Sequence, residues 1–309
     1  METIIMLRKV KFIIGFIIMA SGSALAANAP DAAPERKVNY TPADSSKGQG
    51  SAIEGLNKNK TEEGPLVFSA APQQDQQTAI ETYGPIAEYL SKVIGKQVVY
   101  KHPGNWLSYQ MEMKKGSYDL VFDGPHFNDW RATKLQHSIL VKFPSEHVFV
   151  VIVKKDNSKI ADLKQLNGRP VCAMSPPNLG TLTLLSQFDN PVRQPVIINT
   201  DGWENIYRGV IADKCVAAVL PLKNLEKYDR GTFTKIIFKG KAMPNQALSA
   251  GQRVSREDQA KIVSALIAPE ASEPTAKLRE IYAIDGRFVP AAKREYAGLS
   301  VWLKDTWGY

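Results

Sequence analysis

From Pro65 onward the chain alternates short apolar runs with segments of helical period, and it does so in two series. A strand, an amphipathic helix and a second strand can all bury their apolar faces only if the strands pair in one sheet with helices packed on it. The first series runs through strand Leu66–Ala70, helix Gln76–Ile94, strand Gln97–Tyr100, helix Trp106–Lys115, strand Tyr118–Phe122, helix Asn128–Lys134 and strand Ser138–Lys142. Gly95 and Gly116 stand where the first two helices should stop. The β-branched run His147–Lys154 is expected to cross between two lobes. A second series follows, with strands Pro170–Met174, Pro195–Asn199, Cys215–Leu220 and Thr234–Phe238, and helices Leu179–Phe188, Trp203–Ala212 and Lys223–Tyr228. After Gly240 come Ala247–Ala250 and helices Arg256–Ile267, Thr275–Ile281 and Ala291–Leu303. The expected fold class is α/β, with mostly parallel sheets. One lobe takes residues 65–150 and 240–309, the other residues 151–239.

The segment before this pattern is of another kind. Arg8, Lys9 and Lys11 precede the apolar run Phe12–Ala20 and the small residues Ser21–Ala26. That order is the one a secretory signal peptide shows, with cleavage expected after Ala26 in residues 1–26. The run is short for a transmembrane helix, and no cysteine follows it for lipid attachment. Residues 27–64 are rich in Ala, Pro, Asn, Ser, Gly, Lys and Glu with few large apolar side chains, which predicts a disordered leader. The mature chain is expected to be exported and soluble. The formal net charge of +8 is spread without a basic, aromatic-interleaved patch, so nucleic acid is not an expected partner.

Cys172 and Cys215 are the only cysteines. In an exported chain two cysteines favour a structural disulfide. If the second lobe is doubly wound, its first and third strands are neighbours, and the cysteines lie near the starts of those strands. A bridge would then staple the sheet at the end opposite the ligand-binding edge, with a contribution of roughly 4 kcal/mol.

Catalytic signatures are absent: there is no GxSxG, HExxH, Walker A or GxGxxG element, and the four histidines share no close ligand spacing. An enzyme is not expected, nor a cofactor, nor a bound metal. The candidates are instead polar and aromatic residues at strand ends and helix starts, where open α/β sheets collect ligands. In the first lobe these are Gln73, Gln74, Tyr83, Asp123 and His126; in the second, Ser175, Asn178, Thr181, Asp201 and Trp203. Each has an ordinary structural use as well, as a turn residue, a helix cap or a core aromatic. Their shared edge points to a small ligand held between two closing lobes.

Several stretches resemble a known family. They are Ala71–Gln74 after the opening strand, Tyr83-Gly-Pro-Ile-Ala-Glu-Tyr-Leu90, Gly116-Ser-Tyr-Asp-Leu-Val-Phe-Asp-Gly-Pro125, Ile160–Val171 and Ser175-Pro-Pro-Asn-Leu-Gly-Thr-Leu182. From Pro65 to about Ala283 the chain is similar to the phosphate/phosphonate-type substrate-binding proteins of ABC transporters. The resemblance implies the type II periplasmic-binding fold, two Rossmann-like lobes joined by a hinge. It also implies a monomer that delivers a small molecule to an inner-membrane ABC permease or a sensor kinase. Two departures bear on the ligand. The family's helix-start anion loop places Ser and Thr hydroxyls before its Gly, whereas this chain has Pro177, Asn178 and Leu179. Asp123 stands where a neutral aromatic is usual, and a carboxylate there repels a dianion unless it is protonated or paired. Both favour a less anionic ligand. The alternatives on the same fold are a carrier of an apolar, lipid- or sterol-like ligand and a metal-binding protein using Asp123 and His126 with His102 or His147.

Overall fold

The computed structural model describes residues 64–307. The proposed signal peptide and leader lie outside the described residues, apart from Gly64. Among the described residues eleven strands form two sheets. The first contains β1 (Leu66–Ala70), β2 (Val98–Tyr100), β3 (Leu120–Asp123) and β4 (Ser138–Lys142); the second contains β5 (Phe149–Lys154), β6 (Pro170–Ala173), β7 (Val196–Asn199), β8 (Ala217–Pro221) and β9 (Thr234–Lys239). The chain then returns to the first sheet with β10 (Ala247–Ala250) and β11 (Val289–Pro290). The strand orders are β11-β4-β10-β3-β1-β2 and β7-β6-β8-β5-β9.

Each sheet has a parallel core and receives a strand that enters through the hinge. β1 pairs parallel with β2 and β3, whereas β10 inserts antiparallel between β3 and β4. β6 pairs parallel with β7 and β8, whereas β5 inserts antiparallel between β8 and β9. The run ending at Lys154 therefore does not stretch across both lobes. Phe149 already belongs to the second sheet, because its apolar side chains find cover on both faces there. The crossings are the segments on either side of His147 and Met243. They hold each other through His147 N–H to Met243 O at 2.8 Å, Met243 N–H to His147 O at 3.1 Å and Phe143 N–H to Gln246 O at 3.1 Å.

Helix α1 (Gln76–Ile94) starts where Asp75 Oδ1 accepts the Thr78 N–H at 2.9 Å and stops at Gly95 in the left-handed conformation. Its buried face, with Tyr83, Ile86, Ala87, Leu90 and Ile94, packs into the core of the first lobe. Helix α2 (Trp106–Lys115) repeats the plan with Asn105 as cap and Gly116 as stop. Helix α3 (Pro125–Lys134) starts earlier than apolar periodicity places it, since Pro125 is preorganised for a first helical turn. Helices α4 (Leu179–Leu185), α5 (Trp203–Ile211) and α6 (Leu222–Tyr228) serve the second sheet, and α7 (Arg256–Ile267) and α8 (Ala276–Ile281) follow the return to the first lobe.

The C-terminal helix expected over Ala291–Leu303 is broken. The chain instead forms α9 (Lys293–Tyr296), a 3-10 turn at Leu299–Leu303 and α10 (Lys304–Trp307). Gly298 separates them with φ 83°, a left-handed residue that no continuous helix admits. The break lets the segment touch both lobes. Leu299 and Trp302 pack against the second core, while Leu303 is buried with Tyr109, Tyr118 and Phe127.

Cys172 and Cys215 form a disulfide with a sequence separation of 43, beside the parallel β6/β8 pair. A Cβ added at Gly209 on α5 would lie 2.6 Å from Cys172 Sγ, so the helix seats directly on the bridge.

Candidate functional site

The ends of β1, β2, β6 and β7 face one another across a cleft of about 640 Å³. The first lobe lines it with Gln73, Gln74, Asp75 and Thr78 at the start of α1 and with Gly104, Asn105 and Trp106 at the start of α2. The second lobe adds Met174, Ser175, Asn199, Asp201, Gly202 and Asn205. The lining holds amides, hydroxyls, two carboxylates and Trp106, with no lysine or arginine. Three helices begin there. Asp75 and Asn105 cap their own helices, while Gly202 at the start of α5 supplies no side-chain cap.

The ten candidate residues fall into three groups. Gln73, Gln74, Ser175 and Asp201 line the cleft. Asp123, His126, Asn178 and Thr181 are buried and bonded within the protein. Tyr83 and Trp203 are core aromatics: Tyr83 stacks on Tyr100 at 5.1 Å, and Trp203 meets Phe149 at 6.2 Å.

Asp123 ends β3 on a cluster that sequence reasoning did not find. Arg131, two turns along α3, places Nη2 2.5 Å from Asp123 Oδ2, and the Tyr109 hydroxyl donates to the same oxygen while accepting from Arg131 Nη2. The Gly124 N–H donates to Oδ1 at 2.8 Å. Burial raises the carboxyl above its ordinary range, and Arg131, Tyr109 and Gly124 oppose that rise. Because Arg131 balances its charge, Asp123 is the paired exception to like-charge repulsion and does not by itself disfavour an anion. Arg131 was hidden because nearly all of α3 is buried although its sequence is polar, so no apolar stripe marks an inward face.

His126 joins the lobes. Its Nε2 lies 2.9 Å from the Pro177 carbonyl oxygen on the loop before α4. A carbonyl only accepts, so Nε2 carries the proton and Nδ1 presents a lone pair. Burial lowers the imidazole to about 3, which keeps it neutral. The loop across from it is self-satisfied. Asn178 N–H donates to Ser175 O, Gly180 N–H donates to Asn178 Oδ1, and the Thr181 hydroxyl donates to Met174 O. A Cβ on Gly180 would lie 2.5 Å from the Phe149 ring, so glycine is what allows α4 to approach β5.

His102 and His147 do not complete a metal site with Asp123 and His126. Among the described residues no group of three or more His, Cys, Asp or Glu could hold a metal ion. None of the described helices is long and apolar enough to cross a membrane.

Two α/β lobes joined by paired crossings, with a polar cleft at their strand ends, define a solute-binding protein of the periplasmic type. The model of the family described as ABC transporter, phosphonate, periplasmic substrate-binding protein matches residues 68–296, and the chain belongs to that family. No protein of curated function matches it in sequence. Among solved structures it is similar to PhnD1 from Prochlorococcus marinus (MIT 9301) in complex with methylphosphonate, at 15% identity and TM-score 0.62 over 78% of this chain and 97% of that one. It is also similar to a binding protein component of an ABC phosphonate transporter from Pseudomonas aeruginosa, at 16% identity and TM-score 0.59 over 75% of this chain and 83% of that one. XAC2383 from Xanthomonas citri bound to ATP aligns at 13% identity and TM-score 0.60, over 78% of this chain and 97% of that one. At these identities the likenesses speak for the fold.

Proposed function

We propose that this chain captures a small polar solute in the interlobe cleft and presents it to an inner-membrane ABC permease, acting as a monomer and without catalysis. A sensor kinase is the other receiver such a closing protein suits. The observation that carries the proposal is the composition of the cleft: amides, hydroxyls and helix starts contributed by both lobes around one volume of about 640 Å³. A ligand touching both walls stabilises the closed arrangement by its differential affinity for it. A purely binding role is supported by how the reactive groups are used. Both cysteines are in a disulfide, and His126 is held by Pro177. The same polar lining suits a solute better than a lipid. The proposal takes the lobes as residues 65–150 with 240–309, and 151–239, with Phe149 and Val150 already paired in the second sheet, and takes export to the periplasm to follow cleavage after Ala26.

The test is a ligand panel of phosphonates, aminophosphonates, amines, organic acids and lipids, read by melting temperature and by tryptophan fluorescence, since Trp106 lines the cleft. At least one polar member is expected to raise the melting temperature and change the emission. A panel without any such member, or one answered by lipids alone, contradicts the proposal.

A further inference from the structure

We infer that Asn224 on α6 is an interlobe latch: its bond to the end of α8 favours the closed arrangement on its own and so tunes how tightly the cleft binds; this rests on the binding role proposed above. α6 packs with the second core through Leu222, Leu225 and Tyr228, whereas α8 and the residues after it pack with the first through Leu278, Tyr282 and Ile284. Between the two, Asn224 is fully buried although Lys223 and Glu226 near it are exposed. Its Nδ2 donates to the Ile281 carbonyl at 2.9 Å. That carbonyl stands at the end of a helix, where it has no partner within the helix. One turn along α6, Lys227 Nζ donates to the Glu280 carbonyl at 3.2 Å. A cation at the C-terminal end of a helix is favoured by the helix dipole. The second lobe therefore caps a helix of the first.

The contact is placed to act on closure and not on the ligand. Neither Asn224 nor Ile281 lines the cleft, so what they do reaches a ligand only through the position of the lobes. Two cavities, of about 250 and 400 Å³, are each lined by α6 and by Ile284. The lobes thus stand apart beside the contact and meet over a narrow front, which the bonds of Asn224 and Lys227 hold together. The Ile281 bond also fixes the orientation of the carboxamide, because exchanging its oxygen and nitrogen would set oxygen against the carbonyl. Asn224 Oδ1 is left without a partner. That offsets part of the gain and keeps the latch weak enough to open. The segment carrying the carbonyl is tied to the cleft wall: the Tyr282 hydroxyl donates to Gln73 Oε1 at 3.3 Å, and Gln73 lines the cleft. The apparent affinity of a two-state binder scales with the fraction of molecules already competent to bind. A residue outside the cleft thereby sets it.

Small-angle X-ray scattering of the full exported chain, with no ligand added, reads the ratio of closed to open molecules as a radius of gyration. Asn224→Leu keeps the branched shape and removes the donor. It is expected to lower that ratio about tenfold, and so to enlarge the radius. Tyr228→Phe removes a hydroxyl 3.4 Å from the same Nδ2 and leaves the Ile281 bond in place, so it is expected to scatter as the parent does. Cooperative melting checks that the variants fold. If Asn224→Leu does not, Lys227→Met on the half-exposed neighbour decides, with a smaller shift in the same direction expected. The inference is overturned if the deciding variant scatters as the parent does, or if Tyr228→Phe opens the molecule as far. Either outcome leaves the binding role standing, because no ligand enters the measurement; that role holds or falls by the panel above.

Discussion

Asp123 shows how a single position can be seen in a sequence and still be misjudged. Its place at the end of a buried strand before Gly124-Pro125 marks it as a site residue, whereas the structure buries it and leaves it out of the cleft lining. Its partners come from elements eight and fourteen residues away, Arg131 and Tyr109, and neither stands out locally. Arg131 has the position of a basic residue in the last turn of a surface helix. Only tertiary packing shows it to be enclosed. Removing one partner of such a pair strands a buried charge, at a cost of about 3–5 kcal/mol. Arg131→Met is expected to lose about that much in urea unfolding. The double variant Asp123→Leu with Arg131→Met should recover most of it, and equal losses in single and double variants would show that the pair is not what holds the site.

At the scale of elements the sequence was informative where periodicity and punctuation agree. α1, α2 and α7 fall where apolar spacing, capping residues and glycine stops place them, and β1 and β4 where short apolar runs do. Three features were not legible. The insertion of β5 and β10 into the middle of each sheet depends on long-range pairing that no local signal carries. α3 has no apolar face to read. The break at Gly298 separates two segments that together keep a helical rhythm. The disulfide could be placed because strand order and compartment both pointed to it. Replacing Cys172 and Cys215 by alanine is expected to cost about 2–5 kcal/mol in chemical unfolding. Gly209→Ala forces a methyl group into Cys172 Sγ and is expected to lower stability by about 1–3 kcal/mol. An unchanged midpoint in Gly209→Ala would mean that α5 does not rest on the bridge.

Over the whole molecule, three histidines tie stability to pH. Burial lowers His126 and His137 to about 3 and His147 to about 4. In the unfolded chain they titrate near pH ~6.5. Between those values the unfolded state binds more protons than the folded state, so stability is full above about pH 6.5 and falls as the pH drops towards 4. Each histidine contributes a slope of about 1.4 kcal/mol per pH unit within that window. Urea midpoints are expected to fall between pH 7 and pH 5, and to fall less in His137→Gln, which lies away from the cleft. A midpoint that is flat over this range would contradict the neutral burial of the histidines.

The two lobes, their paired crossings and the polar cleft make one claim together: a small molecule binds between the lobes, one per chain. Native mass spectrometry of the full chain against the ligand panel tests this most directly, alongside Ser175→Trp, a substitution that fills the cleft from the second lobe. The account predicts a single small-molecule adduct on the parent chain, absent from the variant. An adduct retained in full by Ser175→Trp, or no adduct on the parent with any compound, would contradict it.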